Sequence, residues 1–368
     1  MKIIHCSDLH LDADLRSRFD AGSAAERRAE LMNTFRRLCR QAQELGACAI
    51  LICGDLFDTD SPSASAVRAV EDLILTYHEI LFFLLRGNHD AQSVLFRSGE
   101  KPDNLCLFGN DWTGWTLDPG TAGQRKISIT GREPHGGPFT SPSLDPKDLN
   151  IVMLHGQVRE GLTAADPESL PLGALRGIGI DYLALGHLHN YREFPLDRRG
   201  TAAYSGCLEG RGFDECGECG YVLLETDTPD GRIESRFVPF ASRNLYRVVC
   251  DVTGCVSDAE VYDRISKALS SSPAQDKDLV RLELTGGLEY ACNPDSALIR
   301  GEWEDRYYYF DCLDNTRPVV HSEDFLCDAT LKGEFVRIVS AAEGLGADER
   351  ARILRCGLRA LSGEPLFH

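Results

Sequence analysis

The stretch KIIHCSDLH, residues 2–10, is a short apolar strand pattern that runs directly into Asp8 and His10. Four further strand patterns end in the same way, in GDLFD (54–58), GNHD (87–90), HG (155–156) and GHLH (186–189). Ligand sites in open α/β sheets gather at the carboxyl ends of the strands. The pattern therefore predicts that seven polar side chains meet at one sheet edge: Asp8, His10, Asp55, Asn88, His155, His187 and His189.

The surrounding sequence alternates between strand and helix patterns. The predicted elements are strands at 2–6, 48–53, 80–85, 150–154 and 181–185, and helices at 24–45 and 63–77. Strands that alternate with helices are typical of a mainly parallel sheet that is buried on both faces. The sequence therefore predicts an α/β fold for this part of the chain.

The chemistry of the seven side chains favours a metal site. They supply two carboxylates, four imidazoles and one amide oxygen, with no thiolate. This set exceeds the ligands of one tetrahedral zinc ion. It suits two divalent ions that share Asp55, with manganese or iron favoured and zinc a further option. Two metals roughly 3.5–4 Å apart stabilise both oxygens of an in-line phosphoryl displacement.

Each motif also has an ordinary structural explanation when it is taken alone. Asp55 could cap a helix N-terminus, and Gly87-Asn88 could form a turn. A single Asp-x-His or His-x-His pair is more often a surface or core feature than a ligand pair. Five such clusters, each directly after an apolar strand, favour the metal site instead.

The five clusters resemble the motifs of the calcineurin-like metallophosphoesterases. More narrowly, the chain resembles the SbcD/YhaO branch of bacterial DNA-repair exonucleases over residues 1–240. The stretches that carry this resemblance are HCSDLHLD (5–12), GDLFD (54–58) with SPS (61–63), YLALGHLH (182–189) and YSGCLEGR (204–211). The resemblance implies a four-layer αββα sandwich with a small α+β capping domain and a C-terminal helical tail.

The resemblance also implies a role for each site residue. Asp8, His10, Asp55 and His189 would hold one manganese ion, and Asp55, Asn88, His155 and His187 would hold the other. His89 would stay off the metals and orient or protonate the leaving oxygen. Asp90 would orient His89 from behind; the alternative is that Asp90 is an exposed aspartate in a turn.

Composition and charge narrow the class of protein further. The chain of 368 residues is 43% hydrophobic and 26% charged, as in a globular protein, and its longest apolar run, residues 80–85, is too short to span a membrane. The net charge of −18 argues against nonspecific binding of nucleic acid by this chain alone. A local basic patch or bound cations could still make the electrostatic potential positive at a site. The lack of a recognisable secretory signal and the fourteen scattered cysteines favour a cytoplasmic location.

The chain is predicted to have three parts, a metallophosphoesterase domain at 1–240, a capping domain at 241–320 that guides DNA, and a helical tail at 321–368. The capping domain is expected to contain a strand at 245–253, a helix at 257–270, a strand at 278–285 and a strand pair near 297–313. The tail pattern indicates two amphipathic helices separated by Gly344 and Gly346.

The favoured function is metal-dependent cleavage of DNA phosphodiesters in DNA repair, as an exonuclease or endonuclease, by in-line attack of a hydroxide held between the metals. The expected partners are DNA and an SbcC-like coiled-coil ATPase to which the tail docks; a homodimer stays open, and no membrane is expected. The alternatives are a phosphodiesterase that acts on small nucleotides and a metal-bound scaffold subunit. Tyr307, Tyr308 and Tyr309 either stack on bases or pack a strand, and the tail helices either dock or pack on their own domain.

Overall fold

The apolar strand patterns build two six-stranded sheets in the first of the two units into which the chain divides, Met1–Asn244 and Leu245–His368. The structure is a computed structural model, and it describes every residue except 93, 98, 121–123, 135–136, 138, 161–168, 290–291, 293, 322–324, 326 and 364–368. Among the described residues, no helix combines the length and the apolarity needed to cross a membrane. The functional divisions at residues 240 and 320 stay predictions.

The first sheet contains the three strands predicted from the start of the chain. Its strands, in spatial order, are β14 (Glu234–Pro239), β13 (Gly220–Glu225), β1 (Lys2–Cys6), β2 (Ala47–Cys53), β3 (Leu81–Leu85) and β4 (Leu105–Leu107). β1 to β4 are parallel, β13 pairs with β1 in antiparallel fashion, and β14 pairs with β13 in the same way. The carboxyl ends of β1, β2 and β3 therefore lie at the same edge.

Helices connect these parallel strands. α1 (Ala21–Leu45) begins after Asp20, whose carboxylate accepts hydrogen bonds from the amides of Gly22 and Ser23. It ends at Gly46, which takes the left-handed conformation with φ 64°. The helix buries one apolar face and packs against β2, and α2 (Ala64–Thr76) follows after the N-cap Ser63.

The second sheet supplies the remaining strand ends of the predicted site. Its strands, in spatial order, are β11 (Arg192–Pro195), β12 (Thr201–Tyr204), β10 (Tyr182–Gly186), β7 (Leu149–His155), β6 (Ile127–Gly131) and β5 (Thr113–Leu117). The four central strands are parallel, and the two edge strands are antiparallel to their neighbours. A short pair, β8 (Gln157–Arg159) and β9 (Ser169–Pro171), and helix α3 (Leu172–Leu175) complete the unit.

The two sheets share one apolar core. Leu51 and Phe83 from the first sheet pack in the same buried cluster as Ile151, Met153 and Ala184 from the second. On its other face, the second sheet is covered by α3 and the loops beside it, which contribute Leu172 and Leu175 to a further cluster. The layers follow the order helix, sheet, sheet, helix, and the predicted α/β sandwich is confirmed.

The second unit contains a smaller parallel sheet and a helical tail. Its elements are β15 (Leu245–Asp251), α4 (Asp258–Ser271), β16 (Leu279–Thr285), β17 (Gly287–Glu289), α5 (Ser296–Trp303), β18 (Tyr309–Asp314), β19 (Arg317–Val319), α6 (Leu331–Ala341) and α7 (Ala347–Leu361). β15, β16 and β18 form the parallel sheet, and β17 pairs with β19.

The prediction of a strand pair near 297–313 was wrong in its first half. Residues 296–303 form helix α5, because Asp295 caps the amides of Ala297 and Leu298 and because Ile299 and Trp303 lie one turn apart on the buried face. Trp303 and Tyr307 belong to the core of this unit. Of the three tyrosines considered for base stacking, Tyr307 is therefore a packing residue.

The tail forms the two helices that the sequence predicts, on either side of Gly344 and Gly346. α6 and α7 pack against each other through Val336, Val339, Leu354 and Leu358. The packing of the tail on its own unit, one of the two alternatives above, therefore accounts for much of its apolar surface.

Candidate metal centre

The strands of both sheets end in sharply turned backbone. φ is 52° at Asp8, 44° at His10, 51° at Asp55 and 102° at His187, values that residues other than glycine rarely adopt. Hydrogen bonds between the first two loops hold this conformation, since the amide of Asp8 donates to the carbonyl of Gly54 at 3.1 Å and the amide of His10 to that of Asp55 at 2.9 Å. Strain of about 1–3 kcal/mol per residue is tolerated mainly at functional sites.

Glycine allows the two sheets to approach each other at this edge. A Cβ atom on Gly54, where φ is 91°, would lie 2.1 Å from Nδ1 of His155. A Cβ atom on Gly186 would lie 1.9 Å from the carbonyl oxygen of Cys53. A larger residue at either position would separate the ends of β2, β7 and β10, so these glycines are what bring the side chains of the two sheets together.

Asp8, His10 and His189 form a group that we call the first cluster. Nε2 of His10 and Nε2 of His189 face each other at 3.3 Å. Nε2 of His189 lies 3.9 Å from a carboxylate oxygen of Asp8, and Nε2 of His10 lies 3.7 Å from Oδ2 of Asp55. All but His189 are almost fully buried.

Asn88, His155 and His187 form a second cluster, which also lies beside the Asp55 carboxylate. Nε2 of His155 is 3.5 Å from Oδ2 of Asp55 and 2.9 Å from Oδ1 of Asn88. The ring of His187 packs edge-on against the ring of His155 at 5.5 Å, and the amide of His187 donates to both oxygens of Asp8 at 3.0 and 3.1 Å. The contacts thus link all seven predicted residues, with Asp55 between the two clusters.

The donor atoms in both clusters suit a bound cation. Nδ1–H of His155 donates to the carbonyl of Cys53 at 2.9 Å, so its Nε2 lone pair faces the oxygens of Asp55 and Asn88. Nε2 of His10 and of His189 likewise face each other next to carboxylates. Facing lone pairs repel unless a proton or a metal ion lies between them. Ligand atoms of Asp8, His10 and His189, and of Asp8, Asp55 and His155, lie close enough to share an ion.

A family model described as calcineurin-like phosphoesterase matches residues 1–191, more than half of the chain. The chain belongs to this family. It is therefore a metal-dependent phosphoester hydrolase of the kind that uses two divalent ions, and its candidate Asp and His sites fit that requirement. Whether each of the seven residues is a ligand stays a prediction at this point.

Two examples illustrate the solved structures that are similar to this phosphoesterase. One is TT1561 of Thermus thermophilus, at 12% identity and a TM-score of 0.39, covering 64% of this chain and 98% of that chain. The other is a dimetal phosphatase from Danio rerio, LOC 393393, at 13% identity and a TM-score of 0.36, covering 61% of this chain and 92% of that chain.

His89 lies at the rim of the phosphoesterase site. Its amide donates to Oδ1 of Asp55 at 3.0 Å, and Nδ1 of its ring lies 3.3 Å from the backbone carbonyl of Asp58. The exposed ring packs edge-on against His10 at 4.8 Å. One ligand atom each from His10, Asp58 and His89 could also share an ion, so the structure alone leaves two roles for His89.

Asp90 has a different set of partners from the one expected. Its carboxylate accepts hydrogen bonds from the amides of Gly87 at 2.9 Å, Leu56 at 2.9 Å and Phe57 at 3.2 Å. Burial and then the charge of Asp55 raise the pKa of the Asp90 carboxyl to about 6. The described contacts of Asp90 tie the loop after β2 to the loop after β3, and the His89 ring is not among them.

Three charged residues around the first cluster had no assigned role in the sequence analysis. Asp58 lies beside His10, Glu215 lies beside His189, and Arg211 lies between the two carboxylates. Burial alone would raise the pKa of Glu215, but the hydrogen bond with His189 and the charge of Arg211 outweigh it and lower that pKa. Burial lowers the pKa of His10, whereas contact with Glu215 and Asp8 outweighs burial and raises that of His189.

Glu215 was missed because no strand or helix pattern leads to it. It lies in the glycine-rich loop between β12 and β13, and the sole local signal is its spacing of four residues from Arg211. Such a spacing is common on helix surfaces and does not by itself indicate a site.

Proposed function

We propose that this phosphoesterase is a two-metal phosphodiesterase that cleaves DNA, of the SbcD type. One observation carries the two-metal part of the proposal. A single carboxylate oxygen, Oδ2 of Asp55, lies 3.7 Å from Nε2 of His10 and 3.5 Å from Nε2 of His155. A carboxylate shared between two imidazole clusters is what a pair of bridged divalent ions requires.

The proposed ligand sets follow the two clusters. Asp8, His10, Asp55 and His189 hold one ion, and Asp55, Asn88, His155 and His187 hold the other. The mixture of nitrogen and oxygen ligands supports Mn²⁺ as the native metal, with Fe and Zn as alternatives that metal analysis distinguishes. When bound, the two ions supply Lewis acidity and activate water for attack on phosphorus.

His89 is proposed to supply the proton that the leaving oxygen needs. In the protonated ring, Nδ1–H donates to the Asp58 carbonyl at 3.3 Å, and Nε2–H is left for the substrate. The exposed position of the ring supports this role, because a general acid must reach the leaving group. Asp90 contributes indirectly, by holding the loop that carries His89.

The choice of DNA as substrate rests on the SbcD-like motifs and on the second unit. The stretch YSGCLEGR (204–211) belongs to the SbcD-like pattern and ends beside the site, and the chain has a second unit where the resemblance places a capping domain. Since Trp303 and Tyr307 are core residues, base stacking would fall to Tyr308 and Tyr309, which are half-buried. The net charge of −18 instead favours the second candidate, a phosphodiesterase that acts on small nucleotides.

A substrate panel distinguishes the two candidates. The purified chain with Mn²⁺ is assayed on bis(p-nitrophenyl) phosphate, cyclic nucleotides, and single- and double-stranded DNA. We expect DNA to have the highest kcat/KM of the natural substrates. Removal of residues 245–368 should spare bis(p-nitrophenyl) phosphate and impair DNA cleavage. A preference for cyclic nucleotides would overturn the assignment to DNA, and no hydrolysis of any phosphodiester would favour the metal-bound scaffold.

The proposed partner is an SbcC-like coiled-coil ATPase, in a DNA-repair complex in the cytoplasm. Leu331 and Ile338 are 70% and 61% exposed, and their spacing of seven residues puts them on one face of α6. This face differs from the one that packs on α7, and it supports helix docking by the tail. A partner with a basic surface would also supply the electrostatic affinity for DNA phosphates that an acidic chain does not provide.

Co-purification with the candidate ATPase tests the partner. The variant L331S/I338S and a chain that ends at residue 321 should both lose the complex. L298S is the matched control, because Leu298 is 66% exposed in α5 of the same unit. Undiminished recovery of the ATPase with the truncated chain would refute docking through the tail.

A further inference from the structure

The Glu215 carboxylate contacts both His189 and Arg211 at the edge of the first cluster. It is 1% exposed, and its Oε1 lies 2.8 Å from Nδ1 of His189 and 2.6 Å from Nη2 of Arg211. Its other oxygen accepts a hydrogen bond from the backbone amide of Arg211 at 2.7 Å. The loop thus folds back on itself so that Glu215 faces a predicted metal ligand.

The same arginine reaches a second carboxylate on the opposite side of the cluster. Nη1 of Arg211 donates to Oδ1 of Asp58 at 2.7 Å, and that oxygen also lies 2.9 Å from Nδ1 of His10. Each of the two histidines in the first cluster therefore has a carboxylate at Nδ1, and one guanidinium links the two carboxylates.

The position of the ring protons follows from these distances. Nδ1 of His189 lies 2.8 Å from Oε1 of Glu215, and a ring-nitrogen lone pair and a carboxylate oxygen repel at this distance unless a proton lies between them. Nη2–H of Arg211 also approaches Nδ1, but at 3.3 Å, and Nη2 donates to Oε1 of Glu215 at the shorter distance of 2.6 Å. Nδ1 of His189 therefore carries the proton and faces Glu215, and the same reasoning gives a proton on Nδ1 of His10 facing Asp58. In both rings Nε2 is then the atom with the lone pair, and the two Nε2 atoms are the ones that face each other at 3.3 Å.

We propose that Asp58, Arg211 and Glu215 act as one positioning unit that holds His10 and His189 in the tautomer and orientation that bind the first metal ion through Nε2. The inference deepens the proposed function and rests on its ligand assignment. Carboxylates that accept from the distal ring N–H of a ligating histidine make the ligand more basic, and their loss typically weakens metal affinity by about 10–100-fold.

Arg211 is a positioning residue here and not a phosphate-binding one. Its side chain is 10% exposed, and its Nε, Nη1 and Nη2 atoms all donate to Glu215 or Asp58. A guanidinium whose donors face two carboxylates has little capacity left for a substrate phosphate. Its positive charge instead offsets the mutual repulsion of Asp58 and Glu215.

In the second cluster, the Nδ1 contact that the structure describes, that of His155, is of a different kind. Nδ1–H of His155 donates to the neutral carbonyl of Cys53 at 2.9 Å, whereas His10 and His189 face carboxylates. The positioning unit therefore makes the first metal site the tighter of the two. It also means that a variant of the unit weakens one site and leaves the other unchanged.

The experiment is a titration of the metal-free, full-length chain with Mn²⁺, followed by calorimetry and by the electron paramagnetic resonance of free Mn²⁺. The wild type should bind two ions, one more tightly than the other. E215Q should weaken the tighter site by about 10–100-fold and change the weaker site by less than about 3-fold. D58N, which acts through His10, should weaken the same site, and it serves as the second test if E215Q does not fold.

The matched control is D181N. Asp181 is 5% exposed and pairs with Arg199 at 2.7 Å in the same unit, but its partners lie at the opposite ends of the strands. D181N should leave both affinities as in the wild type. Equal weakening of both sites by E215Q and D58N, or unchanged affinity at both, would overturn the positioning unit. Failure of the wild type to bind two ions would instead refute the two-metal function itself.

Discussion

Both units of this phosphoesterase contain parallel strands that end in carboxylates, and the two sets of carboxylates have different partners. In the first unit, Asp8 and Asp55 lie beside histidines from distant strands. In the second unit, Asp251 and Asp314 end β15 and β18, and both are exposed. Asp251 accepts from the amide of Thr253 at 2.9 Å, and Asp314 accepts from the amide of Thr316 at 2.8 Å.

The difference shows what turns a strand end into a site. An aspartate two residues before the amide that it binds forms an Asx turn and is satisfied by its own loop. A buried aspartate that faces imidazole nitrogens from other strands needs a cation to make the arrangement favourable. Changes at matched residues in the two units test this explanation.

Removing the shared carboxylate should have the largest effect. D55A takes away a carboxylate oxygen that lies near imidazoles of both clusters, so we expect the loss of most bound metal and of all measurable hydrolysis. D314A, the matched change in the second unit, should leave both unchanged. Metal analysis after dialysis, together with hydrolysis of bis(p-nitrophenyl) phosphate, measures the two effects. Two metals per chain at normal affinity in D55A would refute the shared role of Asp55.

The replacement of His89 separates catalysis from metal binding. H89A should keep a metal content near that of the wild type while kcat falls by about 10²–10⁴-fold, the usual range for a lost general acid. Activated phosphodiesters with good leaving groups need less protonation, so bis(p-nitrophenyl) phosphate should lose less activity than DNA. If metal content falls along with activity, then His89 is a ligand, in the cluster that it forms with His10 and Asp58.

The sequence was sufficient to predict the parts of the site that follow strands. An apolar run followed by Asp or His identifies both the strand and the side chain at its end, which is how Asp8, Asp55 and His187 were predicted. Glu215 and the partners of Asp90 depend on which loops meet in three dimensions, and no local pattern encodes that. Helix α5 was not predicted because only two of its eight residues are buried, so its hydrophobic pattern has a weak helical period.

We expect the buried Asp90 carboxylate to stabilise the two loops that it links. In D90N an amide NH₂ replaces one of the two oxygens that accept from Gly87, Leu56 and Phe57, and at least one buried N–H loses its partner. We expect the free energy of unfolding to fall by about 1–3 kcal/mol. The exposed D251N should change it by about 0.5 kcal/mol or less. Equal effects in urea unfolding would contradict the proposed link between the two loops.

Replacement of a glycine by alanine should have opposite signs in the two units, with the smallest effect of all at Gly301. A Cβ atom at Gly301 in α5 meets no atom within 4 Å, so G301A should stabilise the second unit by about 0.5–1 kcal/mol through helix propensity. A Cβ atom at Gly186 would lie 1.9 Å from the rigid carbonyl oxygen of Cys53, so G186A must push the two sheets apart and should destabilise the first unit. Thermal unfolding of both variants measures the signs. Stabilisation by G186A would contradict the close approach of the two sheets at the metal centre, and with it the short distances within both clusters.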